Sequence, residues 1–141
     1  MELNEETLRR VISQVLGNMG ETGCGFTKTV DPSGVIFIKT DTVRCEKFQQ
    51  DGVAVKDVVT LQEAPRMGCG IMELRETVFP WTLTYDEYDL VLDGILEIGV
   101  GGRVLTGNPG DILYIPKNTS IEFRTKTYAR YAYFVYPADW Q

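Results

Sequence analysis

The sequence predicts an all-β domain, a sandwich or barrel, preceded by a short amphipathic α-helix. Three observations carry this expectation. From about residue 26 onward, short runs rich in β-branched and aromatic residues recur at 35–40, 53–61, 69–76, 87–92, 95–100, 103–106, 111–115, 120–124 and 129–136. Between the runs stand residues that reverse a chain, namely Asp31-Pro32-Ser33-Gly34, Gln50-Asp51-Gly52, Gly101-Gly102, Gly107-Asn108-Pro109-Gly110 and Pro116-Lys117-Asn118. Each supplies a fixed φ or tolerance of positive φ. Ahead of them, Leu8, Val11, Ile12, Val15 and Met19 recur at three- and four-residue steps, the spacing of one helical face.

The helix is expected over 4–17. The Asn4 side chain can cap its first turn, Glu5 and Glu6 suit the positive end of its dipole, and Gly17 and Gly20 can stop it. Gly20-Glu21-Thr22-Gly23 then reads as a flexible joint, so the expected division is 1–24, helix and linker, and 25–141, the β domain. Strands at such regular spacing, with no solenoid or propeller period, make one sandwich or barrel. A chain of 141 residues suffices for one such core.

Composition excludes several function classes. Fourteen Lys and Arg against 20 Asp and Glu give a net charge of -6, and no basic run tracks a phosphate backbone, so nucleic acid is not an expected partner. The longest apolar runs, such as 35–38, fall far short of the ~20 residues that span a bilayer, and the polar start lacks a signal peptide's basic and apolar regions. The expectation is a cytoplasmic protein without a membrane partner, in which Cys24, Cys45 and Cys69 are reduced thiols. There is no histidine at all. Histidine-based catalysis and His-ligated transition metals are thereby excluded.

The densest polar and aromatic stretch is 81–89, Trp81-Thr82-Leu83-Thr84-Tyr85-Asp86-Glu87-Tyr88-Asp89. Period-two alternation puts Tyr85, Glu87, Asp89 and Val91 on one face and Asp86, Tyr88, Leu90 and Leu92 on the other. If the first face lines a barrel, Glu87 and Asp89 raise one another's pKa or hold a hard cation such as Mg²⁺. If it is the outer face of an edge strand, both are simply solvated.

The spacing Glu87, six residues, Gly94, then Gly110, five residues, Pro116 resembles the two sequence motifs of the cupin superfamily. That resemblance implies a jelly-roll β-barrel. Cupins usually set two histidines and a glutamate of the first motif, with a third histidine of the second, around a metal. Here the histidine positions fall on Trp81 and Leu83, or on Thr82 and Thr84 if the alignment slips by one, and on Ile121. Glu87 alone is retained, and Asn118 replaces a motif glycine, a swap that left-handed backbone tolerates.

Within that superfamily the blocks 79–87, 115–123 and 136–141 resemble the ethanolamine-utilisation cupins. The resemblance implies work around a bacterial microcompartment and acetate kinase activity, interconverting acetyl phosphate and ADP with ATP and acetate, with Mg²⁺ and ATP as cofactors. It also gives the N-terminal stripe a reading as an encapsulation peptide, with Leu8, Val11, Ile12 and Val15 as anchors in an apolar groove of a shell or luminal protein. The plainer reading packs that stripe on the protein's own barrel or on a dimer mate.

For kinase chemistry the chain offers parts only. It has no Gly-x-x-x-x-Gly-Lys-Ser/Thr loop, and 99–103 reads as a tight hairpin. Glu87 and Asp89 are candidate Mg²⁺ ligands, Lys117 a candidate phosphate contact, and Tyr85 a candidate group for orienting an acyl or phosphoryl oxygen. Lys117 reads equally as a solvated loop residue and Tyr85 as packing. Trp81 and Tyr133, with Phe79, Tyr131 and Trp140, either face a substrate or fill the barrel and a homodimer face. Glu73, with Glu76 on the preceding strand, is a candidate extension of the acidic pocket. The competing class is a non-catalytic cupin that binds a shell protein or a small metabolite.

Overall fold

Turn chemistry sets the first hairpin. In a computed structural model, which describes residues 25–141, Ser33 N–H donates to Asp31 Oδ2 at 2.9 Å and Gly34 N–H to the Asp31 carbonyl at 2.9 Å. This reversal joins β1 (Lys28–Val30) to β2 (Ile36–Ile38) in a two-stranded antiparallel sheet. The run expected over 35–40 stops early because Thr40–Thr42 coils into a 3-10 turn, with Thr42 Oγ1 donating to the Lys39 carbonyl at 2.6 Å. These elements fall in one compact unit, Met1–Arg44, and the remaining strands form a second, Cys45–Gln141. The expected helix over 4–17, its anchors Leu8, Val11, Ile12 and Val15, the glycine joint and Cys24 lie outside the described residues.

The second unit is one antiparallel sheet of eight strands: β3 (Glu46–Phe48), β4 (Gln50–Asp57), β5 (Gly68–Leu83), β6 (Asp86–Gly94), β7 (Leu96–Val100), β8 (Arg103–Gly107), β9 (Ile112–Ile115) and β10 (Thr119–Tyr136). The path runs β3-β4-β5-β10-β6-β9, with β7 pairing both β10 and β8. The runs expected at 120–124 and 129–136 are one strand, β10, interrupted by a register shift between Thr125 and Tyr128. Opposite this bulge Glu76 takes φ 42°, so the β5–β10 pair bends there. One half of β10 then pairs with β7 and the other with β6. The sheet thereby folds into two layers, and Leu74, Leu83, Leu96, Phe123, Tyr131 and Val135 fill the core between them.

The turns follow their composition. Gly101 and Gly102 join β7 to β8 with positive φ at both, so 99–103 is a hairpin. Gly94 ends β6 at φ 73°, where a Cβ would come within 2.1 Å of the Tyr128 carbonyl. Asn118 takes φ 67° and donates to the Leu83 carbonyl at 2.7 Å, the left-handed role expected of it. Among the described residues no helix is long and apolar enough to cross a membrane.

Candidate functional site

The alternation of β6 decides the site. Tyr85, Glu87, Asp89 and Val91 are all buried, whereas Tyr88 on the opposite face is 54% exposed. The acidic face is therefore interior, and the solvated edge-strand reading falls. The same phase runs through β5, where Trp81 is half-buried and Leu83 fully buried while Thr82 and Thr84 are exposed. Ile121 is buried and pairs with Trp81 across to β10. Three inward positions that would hold a cupin's histidines thus carry Trp81, Leu83 and Ile121, and the slipped alternative, Thr82 and Thr84, points outward.

Between the layers lies a pocket of about 270 Å³, counted to its open mouth. Glu87 and Tyr85 reach it from the β6 side and Trp81 and Phe79 from β5, with Phe48 of β3 and Tyr133 of β10 closing it. Trp140, just past β10, covers one wall, with its ring 6.2 Å from Trp81 and 5.7 Å from Tyr133. Trp81 Nε1 donates to Tyr85 Oη at 2.7 Å, fixing both rings at the β5–β6 turn. Trp140 is fixed from behind, since its Nε1 donates to Asp57 Oδ1 at 3.0 Å, and the Tyr133 hydroxyl donates to the same oxygen. Gly70 pairs with both Asp57 and Tyr133, and a Cβ there would lie 2.0 Å from Tyr133 Oη. Only glycine lets the phenol cross β5 to reach Asp57.

Glu87 is 5% exposed and Asp89 not at all. Neither oxygen of Asp89 receives a hydrogen bond. Burial pushes the Glu87 carboxyl up to about 7, against a lowering contact with Asp89. Asp89 is raised well above the carboxylate range by burial, then by the charge of Glu87 and by a hydrogen bond that needs a proton on one partner. Two carboxyls in one apolar site share protons, and a proton on either supplies the missing donor. Burial first, and the nearby carboxylates second, hold the Tyr85, Tyr131 and Tyr133 phenols above their usual range, so all three remain protonated near neutrality.

Sequence reasoning named Tyr85, Glu87, Asp89, Trp81 and Tyr133, and the structure gathers them, with Asp89 behind Glu87. Glu73 lies on the outer face of β5, where it accepts from Tyr128 Oη at 2.7 Å and pairs with Arg130 at 3.1 Å. Lys117 is exposed, but its turn is tied to the Tyr85 end of the pocket by Lys117 N–H donating to Asp86 Oδ1 at 2.9 Å. Phe48, Asp57 and Gly70 escaped sequence reasoning. Phe48 sits on a three-residue strand too short to show alternation, and Asp57 and Gly70 matter only through cross-strand register.

The donor set admits a hard cation. Among the described residues no three His, Cys, Asp or Glu side chains come together, yet Mg²⁺ commonly takes one or two carboxylates and completes its shell with water and phosphate oxygens. The orphaned Asp89 oxygens beside Glu87 fit that requirement.

An all-β fold bent about two long strands, with a motif glutamate facing the interior, defines a cupin-type protein. An RmlC-like cupin from Shewanella frigidimarina shares the fold with a TM-score of 0.61 at 12% identity, over 73% of this chain and 91% of that one. More particularly, the chain belongs to the family of ethanolamine utilisation protein EutQ, which matches residues 1–141. A relative from Clostridioides difficile named "Acetate kinase EutQ" is 41% identical over 98% of this chain and 92% of its own length. The structure of the Clostridium difficile EutQ protein superposes with a TM-score of 0.78 at 44% identity, over 82% of this chain and 90% of that one.

Proposed function

We propose that this chain serves ethanolamine utilisation at a bacterial microcompartment as an acetate kinase, transferring the terminal phosphoryl group of ATP to acetate and back, with the Glu87 pocket as its site. The observation that carries the reading is a buried carboxyl pair in a pocket whose lining has no positive side chain. Mg²⁺ held by Glu87 and Asp89 would supply the positive charge that phosphoryl transfer needs. The acetate methyl group suits the apolar wall of Phe79 and Phe48, and Tyr85 keeps its proton to donate to an acyl or phosphoryl oxygen. An acetate oxygen forms the new bond to phosphorus as the bond to ADP breaks, and no proton changes hands. The nucleotide exceeds the pocket and stays at its mouth, at the end of the sheet to which the Lys117 turn is tied.

Acetyl phosphate formation by the full chain with acetate, ATP and Mg²⁺ tests this, beside a Glu87→Gln variant that keeps shape and loses charge. Turnover that falls at least about a hundredfold in the variant supports the reading; equal turnover in both removes it. The second reading, a non-catalytic cupin binding a small metabolite, is favoured by the apolar residues at the three histidine positions. Ligand binding without turnover would select it.

The stripe Leu8, Val11, Ile12 and Val15 is proposed to dock on a shell or luminal protein, and the exposed Tyr88–Tyr114 pair on the outer sheet, with ring centroids 4.8 Å apart, to meet a second copy of the chain. Deleting residues 1–19 checks the first: lost capture by the shell with unchanged melting supports it, and early melting opposes it.

A further inference from the structure

Resting on the reading that the Glu87 pocket is the working site, we propose that it binds a compact primary ammonium cation, with the ammonium head against Glu87 and Asp89 and its short tail between Trp81 and Trp140. Four features converge on that ligand class. Both Asp89 oxygens are buried without a donor, and Glu87 lines the pocket directly in front of them. An ammonium group brings three donors and a compensating charge, which together satisfy such acceptors.

The walls select for a cation as well. Trp81, Tyr85, Tyr133 and Trp140 surround the opening, and aromatic faces attract cations through their quadrupoles. Three of their polar ends are engaged elsewhere: Trp81 Nε1 on Tyr85, and Trp140 Nε1 and the Tyr133 hydroxyl on Asp57. What remains for a ligand is ring surface and carboxyl oxygen, a poor lining for an anion. The enclosed floor has room for a group about the size of a water molecule, which an ammonium head matches. The cation would occupy the seat that the kinase reading gives to Mg²⁺, so the two compete.

Both tryptophans of the chain line this pocket, so intrinsic fluorescence reports on it alone. The full chain is titrated with 2-hydroxyethylammonium chloride at constant ionic strength, with ethylene glycol as the neutral control. The expected result is a saturable fluorescence change with the ammonium and none with the glycol, weakened about tenfold or more in Glu87→Gln and less in Trp81→Phe, which keeps a ring. Circular dichroism of each variant confirms that it is folded. Equal responses to the two probes, or a response indifferent to Glu87→Gln, overturn the proposal. Absence of a saturable response also overturns it, while Glu87-dependent acetyl phosphate formation in the same preparation would leave the kinase reading standing. A Glu87-dependent response without turnover keeps the proposal and removes the kinase reading.

Discussion

Glu73 and Glu87 are glutamates of neighbouring regions of one sheet, and their carboxyls are driven in opposite directions. Glu73 is on the outer face of β5. Burial raises its pKa, but the Tyr128 hydroxyl at 2.7 Å and the Arg130 guanidinium at 3.1 Å outweigh burial and hold it below the usual value. Glu87 is on the inner face of β6, where its nearest polar partner is another acid, and burial leaves it near 7. The difference is one of partners. A carboxylate given donors and a cation becomes a structural link, whereas one left with an acid beside a pocket keeps an unmet demand for a proton, a metal or a cationic ligand.

Four substitutions would break or sharpen that contrast. The largest effect is expected for Gly70→Ala, which drives a methyl group into the Tyr133 ring and toward the Lys56 carbonyl, 2.6 Å away. A loss of about 3 kcal/mol in urea unfolding, with a displaced tryptophan spectrum, is expected. Next is Glu87→Gln. Because Glu87 holds its proton more tightly folded than unfolded, its burial costs nothing below the unfolded carboxylate range. The cost grows as pH rises and is complete above about 7. The variant should therefore unfold on the order of 2 kcal/mol later than the parent at pH 8 and no later at pH 4.

Glu73→Gln should show the opposite sign and a smaller size. Its lowered pKa means that the ionised form stabilises the fold above the unfolded carboxylate range, and that this contribution is lost as pH falls through the folded value. With the group partly exposed, a destabilisation of about 1 kcal/mol at pH 7 is expected, vanishing in acid. The smallest effect is expected for Tyr133→Phe, which removes one hydroxyl donor to an exposed Asp57 and should cost about 0.5 kcal/mol while leaving Trp140 bonded to the same carboxylate.

Much of this contrast was legible in the sequence. The alternation of Tyr85, Glu87, Asp89 and Val91 fixed which side chains share a face, and the motif spacing from Glu87 to Gly94 and from Gly110 to Pro116 indicated a cupin. Which way the face points was not legible, because alternation is blind to inside and outside when acids occupy the inner face. Glu73 looked like a pocket residue from its strand alone. It lies one residue out of phase with the inward-facing Met72 and Leu74, and its partners come from β10, more than 50 residues away. The β10 bulge was read as a gap between two strands because Lys126 and Thr127 interrupt the apolar run. Gly70 and Asp57 carry no local signal: their roles arise only when β4, β5 and β10 lie side by side.

The most direct test is a pH titration of the glutamate side-chain carboxyl carbons by NMR on uniformly glutamate-labelled protein, with Glu73 and Glu87 identified by their Gln variants. The midpoint for Glu87 should lie near 7 and move when Asp89 is replaced by Asn, while that for Glu73 lies below the ordinary glutamate value. A Glu87 carboxyl that titrates with the exposed glutamates, indifferent to Asp89, would contradict the unpartnered acid pair on which the functional site rests.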